Sequence, residues 1–529
     1  MAFIGKNIIE NITTAMYENL MVVYREYVQN CADSIDKAIK QGLLGKNNAE
    51  IYVDIDNAKR YISIEDNGIG ICAAEFYKKM SSIADSTKDP SEDKGFRGIG
   101  RLGGISVCKK LRFSCSVKGE NIQSVVVWNA KKLRDILNDD TKNPEASDFV
   151  DDVTEYSVDS CEVDRHFFKV EMIDVDQSAS ELLDRSEVQN YLQSVAPLPY
   201  ATGFIFASKI HKFAVEHNFV IDEYNVFVNG NRLFKEYRTR LYEDKNGQKI
   251  TYDEIVDVEF ELFYAEDNSE LAWMWYGISR FEKAIPVINT MRGIRLRKGN
   301  IQIGNELTFS DHGFYKEPRG YLYFIGEVFA LNRELRPNAR RDYFNINNCC
   351  REFEHKLREL FYNRFYTIYH LANQVKKAYQ KKQELAATEG EFELKFKDGF
   401  DSPESKEMLE NKINDLKIAA ARADKTLEMR TSKEKSDDVL NKVYSELEKT
   451  YKSVPRETSD NKMESEENEI LDDIIKPYKN KVKYKSQSLS QYSKKEQKLI
   501  GKIYGIIRAI LPYDMAEVVI NKIQEELSK

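Results

Sequence analysis

From about Met16 to Gln41 the chain reads as one helix, with polar Glu26, Asn30 and Asp33 on one face and mostly apolar positions opposite. The period then shortens to two. Ile51–Ile55 and Tyr61–Ile64 alternate as strands, and Leu111–Val117 and Gln123–Trp128 follow suit. Between them lies a glycine-rich loop, Gly95–Gly104, ahead of a helix-like Ile105–Lys110. These elements predict a first mixed domain over residues 1–215. A second is predicted over 216–372. Tyr224–Val228, Val258–Phe263, Asn300–Gly304 and Pro318–Val328 are its strands, Asn229-Gly230-Asn231 a turn, and Arg351–Ala372 a helix. Basic Ile294–Asn300 reads as a strand at a solvated sheet edge, its charges guarding against edge pairing. Residues 373–455 are charged and helical, with Glu404–Ser453 forming one or two helices and a possible coiled coil. Residues 456–480 read as a linker. In the closing module, 481–529, Ser493 and Glu496 have capping-box spacing, Pro512 ends the first helix, and Met515–Leu527 forms a second.

Composition narrows the class. The chain has 529 residues, 42% hydrophobic and 31% charged, which suits several globular domains with long solvated helices. A net charge of -8 argues against coating nucleic acid through bulk charge, though a local basic groove remains compatible. The seven cysteines include no Cys-x-x-Cys pair, so free thiols in a reducing compartment are expected. Met1–Glu10 has no signal-peptide pattern and no apolar run approaches the ~20 residues of a membrane span. The expectation is a soluble cytoplasmic protein.

Three stretches carry candidate chemistry. In Arg25–Lys37, Glu26 and Asn30 stand one turn apart. The carboxylate suits polarisation of a water, and the carboxamide oxygen suits Mg²⁺, which prefers oxygen ligands. In Ile62–Ile71 a strand ends in Asp66, and Gly68 and Gly70 free the backbone to approach a flat ligand. Asp66 could accept from the exocyclic amine of adenine. In Lys94–Gly104 five glycines in ten residues suit a phosphate-cradling loop, without a Walker A lysine and without the βαβ setting of a dinucleotide fold. Each stretch alone also fits a blander reading: a solvated helix face, an Asn-Gly turn, a flexible loop.

Their joint order resembles the N-box, the Asp-x-Gly-x-Gly box and the glycine-rich lid box of the GHKL superfamily. Arg25-Glu26-x-x-x-Asn30-x-x-Asp33-x-x-Asp36-Lys37 is most similar to the ninety-kilodalton heat-shock chaperones, and Ile83–Lys88 resembles their lid start. Gly95-Phe96-Arg97-Gly98 is shared with MutL proteins. The resemblance implies an α+β chain: a Bergerat-type α/β sandwich, a transducer-like middle domain and a helical C-terminal region. It implies ATP and Mg²⁺ as ligands. Glu26 would be the general base, Asn30 the Mg²⁺ ligand, Asp66 the adenine acceptor with Gly68 and Gly70 shaping its slot, and Asp33 a support for the pocket or sugar. Gly95, Gly98 and Gly100 would contact phosphates. One box departs: the family's late strand opens with Gly-Thr, and the candidate strand His166–Met172 has Phe168 where Thr is expected.

The segment Pro318–Val328 leading into Leu335–Phe344 resembles the chaperones' middle-domain segment, and the match puts Arg341 in the place of the arginine that reaches the γ-phosphate. On the residues alone, Arg340 and Arg341 would be surface arginines paired with Asp342. The resemblance implies an ATP-driven clamp, dimeric at least when ATP-bound, that remodels a protein client or complex. The alternative is a DNA-processing or genome-defence ATPase of MutL, MORC or topoisomerase type.

Overall fold

The computed structural model describes residues 19–82, 100–139, 146–431, 437–452 and 491–527, with Tyr484 and Leu489. The expected lid start Ile83–Lys88, the loop glycines Gly95 and Gly98, and the linker 456–480 lie outside the described residues. The chain divides into two compact units, residues 1–367 and 368–529.

In the first unit, helix α1 (Val22–Lys40) precedes the hairpin β1 (Glu50–Asp56) and β2 (Tyr61–Asp66), then α2 (Ala73–Ser81). A 3₁₀ turn over Gly100–Ser106 leads into β3 (Cys108–Ser116) and β4 (Ile122–Asn129). Helices α3 (Ala130–Leu137) and α4 (Ala146–Val153), strands β5 (Thr154–Ser160) and β6 (Phe167–Val175), and helices α5 (Arg185–Val195) and α6 (Ala207–Glu216) follow. The short strands β7 (Asn225–Val228) and β8 (Asn231–Arg232) lie beyond residue 215 yet close the same sheet, in the order β5-β4-β3-β6-β2-β1-β7-β8. The β1–β7 pair is parallel and the other pairs are antiparallel.

The β1 alternation puts Ile51, Val53 and Ile55 into the core and leaves Tyr52 and Asp54 exposed, so one face of the sheet is covered. Tyr24, Tyr27, Val28, Cys31, Ala32 and Ile35 of α1 enter the same core as Ile62, Ile64, Phe113 and Met172. The β7–β8 turn uses Asn229 and Gly230 with φ 47° and 78°, the left-handed pair that an Asn-Gly hairpin demands. The helix expected over Ile105–Lys110 is absent. Leu111, Phe113 and Cys115 must alternate into the core as β3, so only the 3₁₀ turn fits before them.

The second sheet holds β9 (Arg240–Lys245), β10 (Gln248–Tyr264), β11 (Glu270–Ser279), β12 (Gly293–Lys298), β13 (Ile301–Ile303) and β14 (Ile325–Ala330), in the order β13-β12-β14-β11-β10-β9. Between β13 and β14 run the short α7 (Thr308–Asp311) and a 3₁₀ turn over Pro318–Tyr323, so the strand expected over Pro318–Val328 starts only at Ile325. The edge reading of Ile294–Asn300 is also overturned. β12 is interior, paired on both sides, and Arg297 is fully buried. Its charge is matched inside the sheet: Arg297 Nε lies 2.8 Å and Lys235 Nζ 3.0 Å from the Glu327 carboxylate. Tyr200 donates to Glu327 at 2.5 Å, and Lys235 donates to Asn300 at 2.7 Å. Burial alone would raise the Glu327 carboxyl, but the Lys235 and Arg297 charges outweigh it and hold Glu327 at about 2. Burial draws Lys235 down to about 8 against the pull of Glu327.

The helix expected over Arg351–Ala372 is α8 (Asn348–Glu359), a π turn over Leu360–Phe365 and the start of α9 (Tyr366–Asp398). The π turn keeps Phe361 and Phe365 both in the interior, ring centroids 4.8 Å apart.

In the second unit, α9 continues into α10 (Pro403–Thr431), α11 (Asp438–Lys452), α12 (Lys494–Ile510) and α13 (Tyr513–Leu527). The predicted capping box of Ser493 and Glu496 is formed, and α12 ends at Ile510, before Pro512. Arg508 joins α12 to α13 through Glu517 at 2.6 Å and pairs with Asp401. Among the described residues no helix is long and apolar enough to cross a membrane.

Removing Glu327 would strand two buried cations. Glu327→Ala is expected to cost about 3–5 kcal/mol. A urea unfolding midpoint equal to that of the parent would contradict this.

Candidate nucleotide-binding site

The polar face of α1 is not solvated. Arg25, Glu26, Gln29 and Asp33 are all buried, and Glu26 is only 7% exposed. A carboxylate so placed needs a counter-charge. Two are present. Arg341 Nε lies 2.9 Å from Glu26 Oε1, and Arg25 Nη2 lies 3.5 Å from the same oxygen. Both are ion contacts without an aligned hydrogen bond to that oxygen.

Arg341 is therefore no surface group: it is buried at 8% exposure, whereas Arg340 is exposed. Its backbone is left-handed, φ 56°, a conformation that costs a non-glycine residue about 1–2 kcal/mol. Three contacts over-determine it. Gly304 N–H donates to the Arg341 carbonyl at 2.8 Å, the Arg341 N–H donates to the Asn338 carbonyl at 3.2 Å, and Arg25 Nη2 donates to the Arg340 carbonyl at 3.3 Å. Asp342, the expected surface partner, instead receives the Asn338 amide.

Glu26, Asn30 and Ser34 follow one another at steps of four along α1. Ser34 therefore stands about 12 Å along the axis from Glu26, at 1.5 Å per residue. At that far end Ser34 Oγ donates to Asp66 Oδ1 at 2.9 Å, and the Gly68 N–H donates to the same oxygen at 2.8 Å. Asp66 is buried, and its other oxygen, Oδ2, has no hydrogen-bond partner among the described residues. Burial pushes the Asp66 carboxyl up to about 7, with Ser34, Gly68 and Cys31 opposing the shift. A buried, orphaned acceptor beside a glycine loop fits a ligand that brings its own N–H donor.

The glycines earn their places sterically. A Cβ on Gly68 would stand 2.2 Å from Ser34 Oγ. Gly70 has φ 72°, and a Cβ there would stand 2.2 Å from the Ser116 carbonyl oxygen. A Cβ on Gly100 would stand 2.4 Å from Glu26 Oε2, so the end of the glycine-rich loop abuts the carboxylate itself. Gly104 N–H donates to Tyr27 Oη at 2.9 Å, and Tyr27 donates to the Arg101 carbonyl at 3.0 Å, fastening the 3₁₀ turn onto α1.

The structure thus brings Glu26, Gly100 and Arg341 together at one end of α1, and Asp66, Gly68 and Ser34 at the other, with half-buried Asn30 between them and Asp33 buried on the same helix. Phe168 lies directly opposite Asp66 in the β2–β6 pairing and packs on Phe113, centroids 6.0 Å apart. The hydroxyl that holds Asp66 comes from α1, not from β6. Ser34, Tyr27 and Arg25 were not singled out by sequence. Ser34 was legible as the next step of the Glu26–Asn30 stripe, whereas Arg25 and Tyr27 act through contacts distant in the chain.

The sandwich, the buried acceptor and the glycine-flanked carboxylate resemble those of a GHKL-type nucleotide-binding domain. Residues 8–161 match the family described as histidine kinase-, DNA gyrase B-, and HSP90-like ATPase. The chain is similar to Chaperone protein HtpG of Baumannia cicadellinicola subsp. Homalodisca coagulata, 28% identical over 158 residues, covering 26% of this chain and 25% of that protein. It is likewise similar to Chaperone protein HtpG of Shewanella sp. (strain ANA-3), 28% identical over 147 residues, covering 24% and 23%. The aligned part is about a quarter of the length of these chaperones.

Asp66 has a folded-state pKa above its unfolded value. Its penalty on folding is therefore absent below about pH 4, grows between about pH 4 and 7, and is complete above about 7. Asp66→Asn keeps the acceptor for Ser34 and Gly68 but removes the charge. In the ligand-free protein it is expected to raise the melting temperature at pH 8 and change it little at pH 4. Equal shifts at both pH values would show that the carboxyl ionises freely.

Proposed function

We propose that this chain binds ATP with Mg²⁺ and hydrolyses it, and that it works as an ATP-driven conformational clamp of heat-shock-chaperone type on a protein client. The observation that carries the hydrolytic reading is the 2.9 Å contact between Glu26 and Arg341, which comes from the segment after β14 and is held in a strained conformation. A buried carboxylate flanked by two arginines suits a general base for water. An arginine placed beside that base suits stabilisation of the charge that develops on a transferring phosphoryl group.

Asp66 accepts the exocyclic amine of adenine through Oδ2, and Gly68 and Gly70 line its slot. Asp33 supports the pocket. By the resemblance, Gly95, Gly98 and Gly100 contact the phosphates. Asn30, between the two ends, offers the oxygen that a hard divalent cation prefers; bound Mg²⁺ would neutralise phosphate charge. Breaking and remaking the Arg341–Glu26 contact couples the pocket to the second sheet, which is what a clamp requires.

The dimeric reading draws on α12. Leu499, Ile503, Ile506 and Ile510 recur at steps of four, three and four and are exposed. That seam suits knobs-into-holes packing with a like helix.

Glu26→Ala is expected to retain nucleotide binding and lose turnover by two or more orders of magnitude, and Arg341→Ala to lower kcat on the order of 10³-fold. Normal turnover in the first variant would remove Glu26 from the mechanism. In the parent, unfolded protein and not DNA is expected to change the rate; stimulation by DNA would favour the MutL-like alternative. Ile506→Asp is expected to shift the chain toward monomer in light scattering with ATP present, and an unchanged mass would exclude this seam as the dimer contact.

A further inference from the structure

The β2–β6 register pairs Asp66 with Phe168. Continued two steps past that pair, the same antiparallel register sets His166 opposite Gly68. His166 also stands two residues from Phe168, hence on the same face of the sheet. The imidazole reaches the backbone of that glycine: His166 Nδ1 lies 2.7 Å from the Gly68 carbonyl oxygen. A carbonyl oxygen only accepts, so Nδ1 carries the hydrogen. In the neutral ring Nε2 is then an acceptor, and it has no hydrogen-bond partner among the described residues.

The remaining ties of this loop come from elsewhere. Ile69 N–H donates to the Ser34 carbonyl at 3.2 Å, and Ile71 N–H to Cys115 Sγ at 2.9 Å. The α1 side and the β3 side of the loop are thus fixed independently of His166. Gly68 is held from the β6 side by the imidazole, on the loop where Asp66 keeps its orphaned oxygen.

We infer that His166 is a positioning residue of the nucleotide pocket. By holding the Gly68 carbonyl it sets the position of the Gly68–Gly70 loop against the Asp66 carboxylate, and so the fit of the purine base. The inference rests on the reading of Asp66 as the adenine acceptor. It also relocates the polar contribution of β6: the side chain that reaches the base end is His166, two residues ahead of Phe168.

Two amides separate the tether from mere bulk. The side-chain amide nitrogen of Asn can stand where imidazole Nδ1 stands, whereas that of Gln reaches toward Nε2. The full chain is titrated with ADP and with ATP by calorimetry, and steady-state rates are measured below all melting midpoints. His166→Asn is expected to bind both nucleotides within about twofold of the parent. His166→Gln and His166→Phe are expected to weaken both by about three- to tenfold, the worth of one hydrogen bond, with kcat at saturating ATP unchanged. Parent-like binding by the Gln and Phe variants would overturn the role, as would a loss in the Asn variant equal to that in Phe, or a fall in kcat with affinity intact. Asp66→Asn is run alongside. If it loses nucleotide while His166→Gln binds normally, only the His166 role fails. If Asp66→Asn binds as the parent does, or the parent binds neither nucleotide, the adenine reading fails and takes this inference with it.

Discussion

A carboxylate buried at 7% exposure is tolerable only beside a cation, and in this chain the nearest one comes from more than three hundred residues away. That constraint organises the first unit. Glu26 sits on α1, Arg341 on the segment that follows β14, and neither could be buried without the other at acceptable cost. Strand β14 also carries Glu327, which is locked by Lys235, Arg297 and Tyr200 in the interior of the second sheet. The arginine is therefore delivered by a strand that is itself electrostatically anchored. Its left-handed backbone is held by Gly304, Asn338 and, through Arg340, by Arg25, the residue before Glu26.

The two ends of α1 differ in physics as well as position. At the Glu26 end the charges are paired and a glycine crowds against the carboxylate, an arrangement suited to a highly charged group in transit. At the Ser34 end the carboxyl of Asp66 is desolvated, pushed up to about 7, and holds one oxygen in reserve. A neutral donor satisfies that end better than a charged one would. About 12 Å of helix separates them, so one rigid element sets the spacing between the paired charges and the orphaned acceptor.

Much of the site was legible because it is periodic or because it is glycine. The Glu26–Asn30 stripe follows from 3.6 residues per turn, and Gly68, Gly70 and Gly100 mark places where a Cβ would collide. Asp66 closes a strand whose alternation was plain. Two expectations failed, and one departure was resolved, for a common reason. Arg295 and Arg297 suggested an exposed edge, yet β12 is interior, because a buried glutamate two strands later in sequence balances Arg297. Ile105–Lys110 looked helical until β3 claimed Leu111 onward. Where the resemblance leads one to look for a hydroxyl and β6 has Phe168, α1 supplies one from Ser34. In each case local pattern was read without the partner that tertiary contact provides.

The sequence by itself determined the elements and the chemistry they carry: an amphipathic helix with acid and amide a turn apart, an aspartate before two glycines, and a capped helical pair at the end. These are consequences of backbone period and of side-chain size, and both act over a few residues. Only the tertiary structure decided which charges are buried, which arginine meets Glu26, and which side chain of β6 reaches the glycine loop. Those outcomes depend on strand register and on counter-charges tens to hundreds of residues apart, and the cost of an unpaired buried ion is set by the place to which the fold carries it, not by its neighbours in the chain.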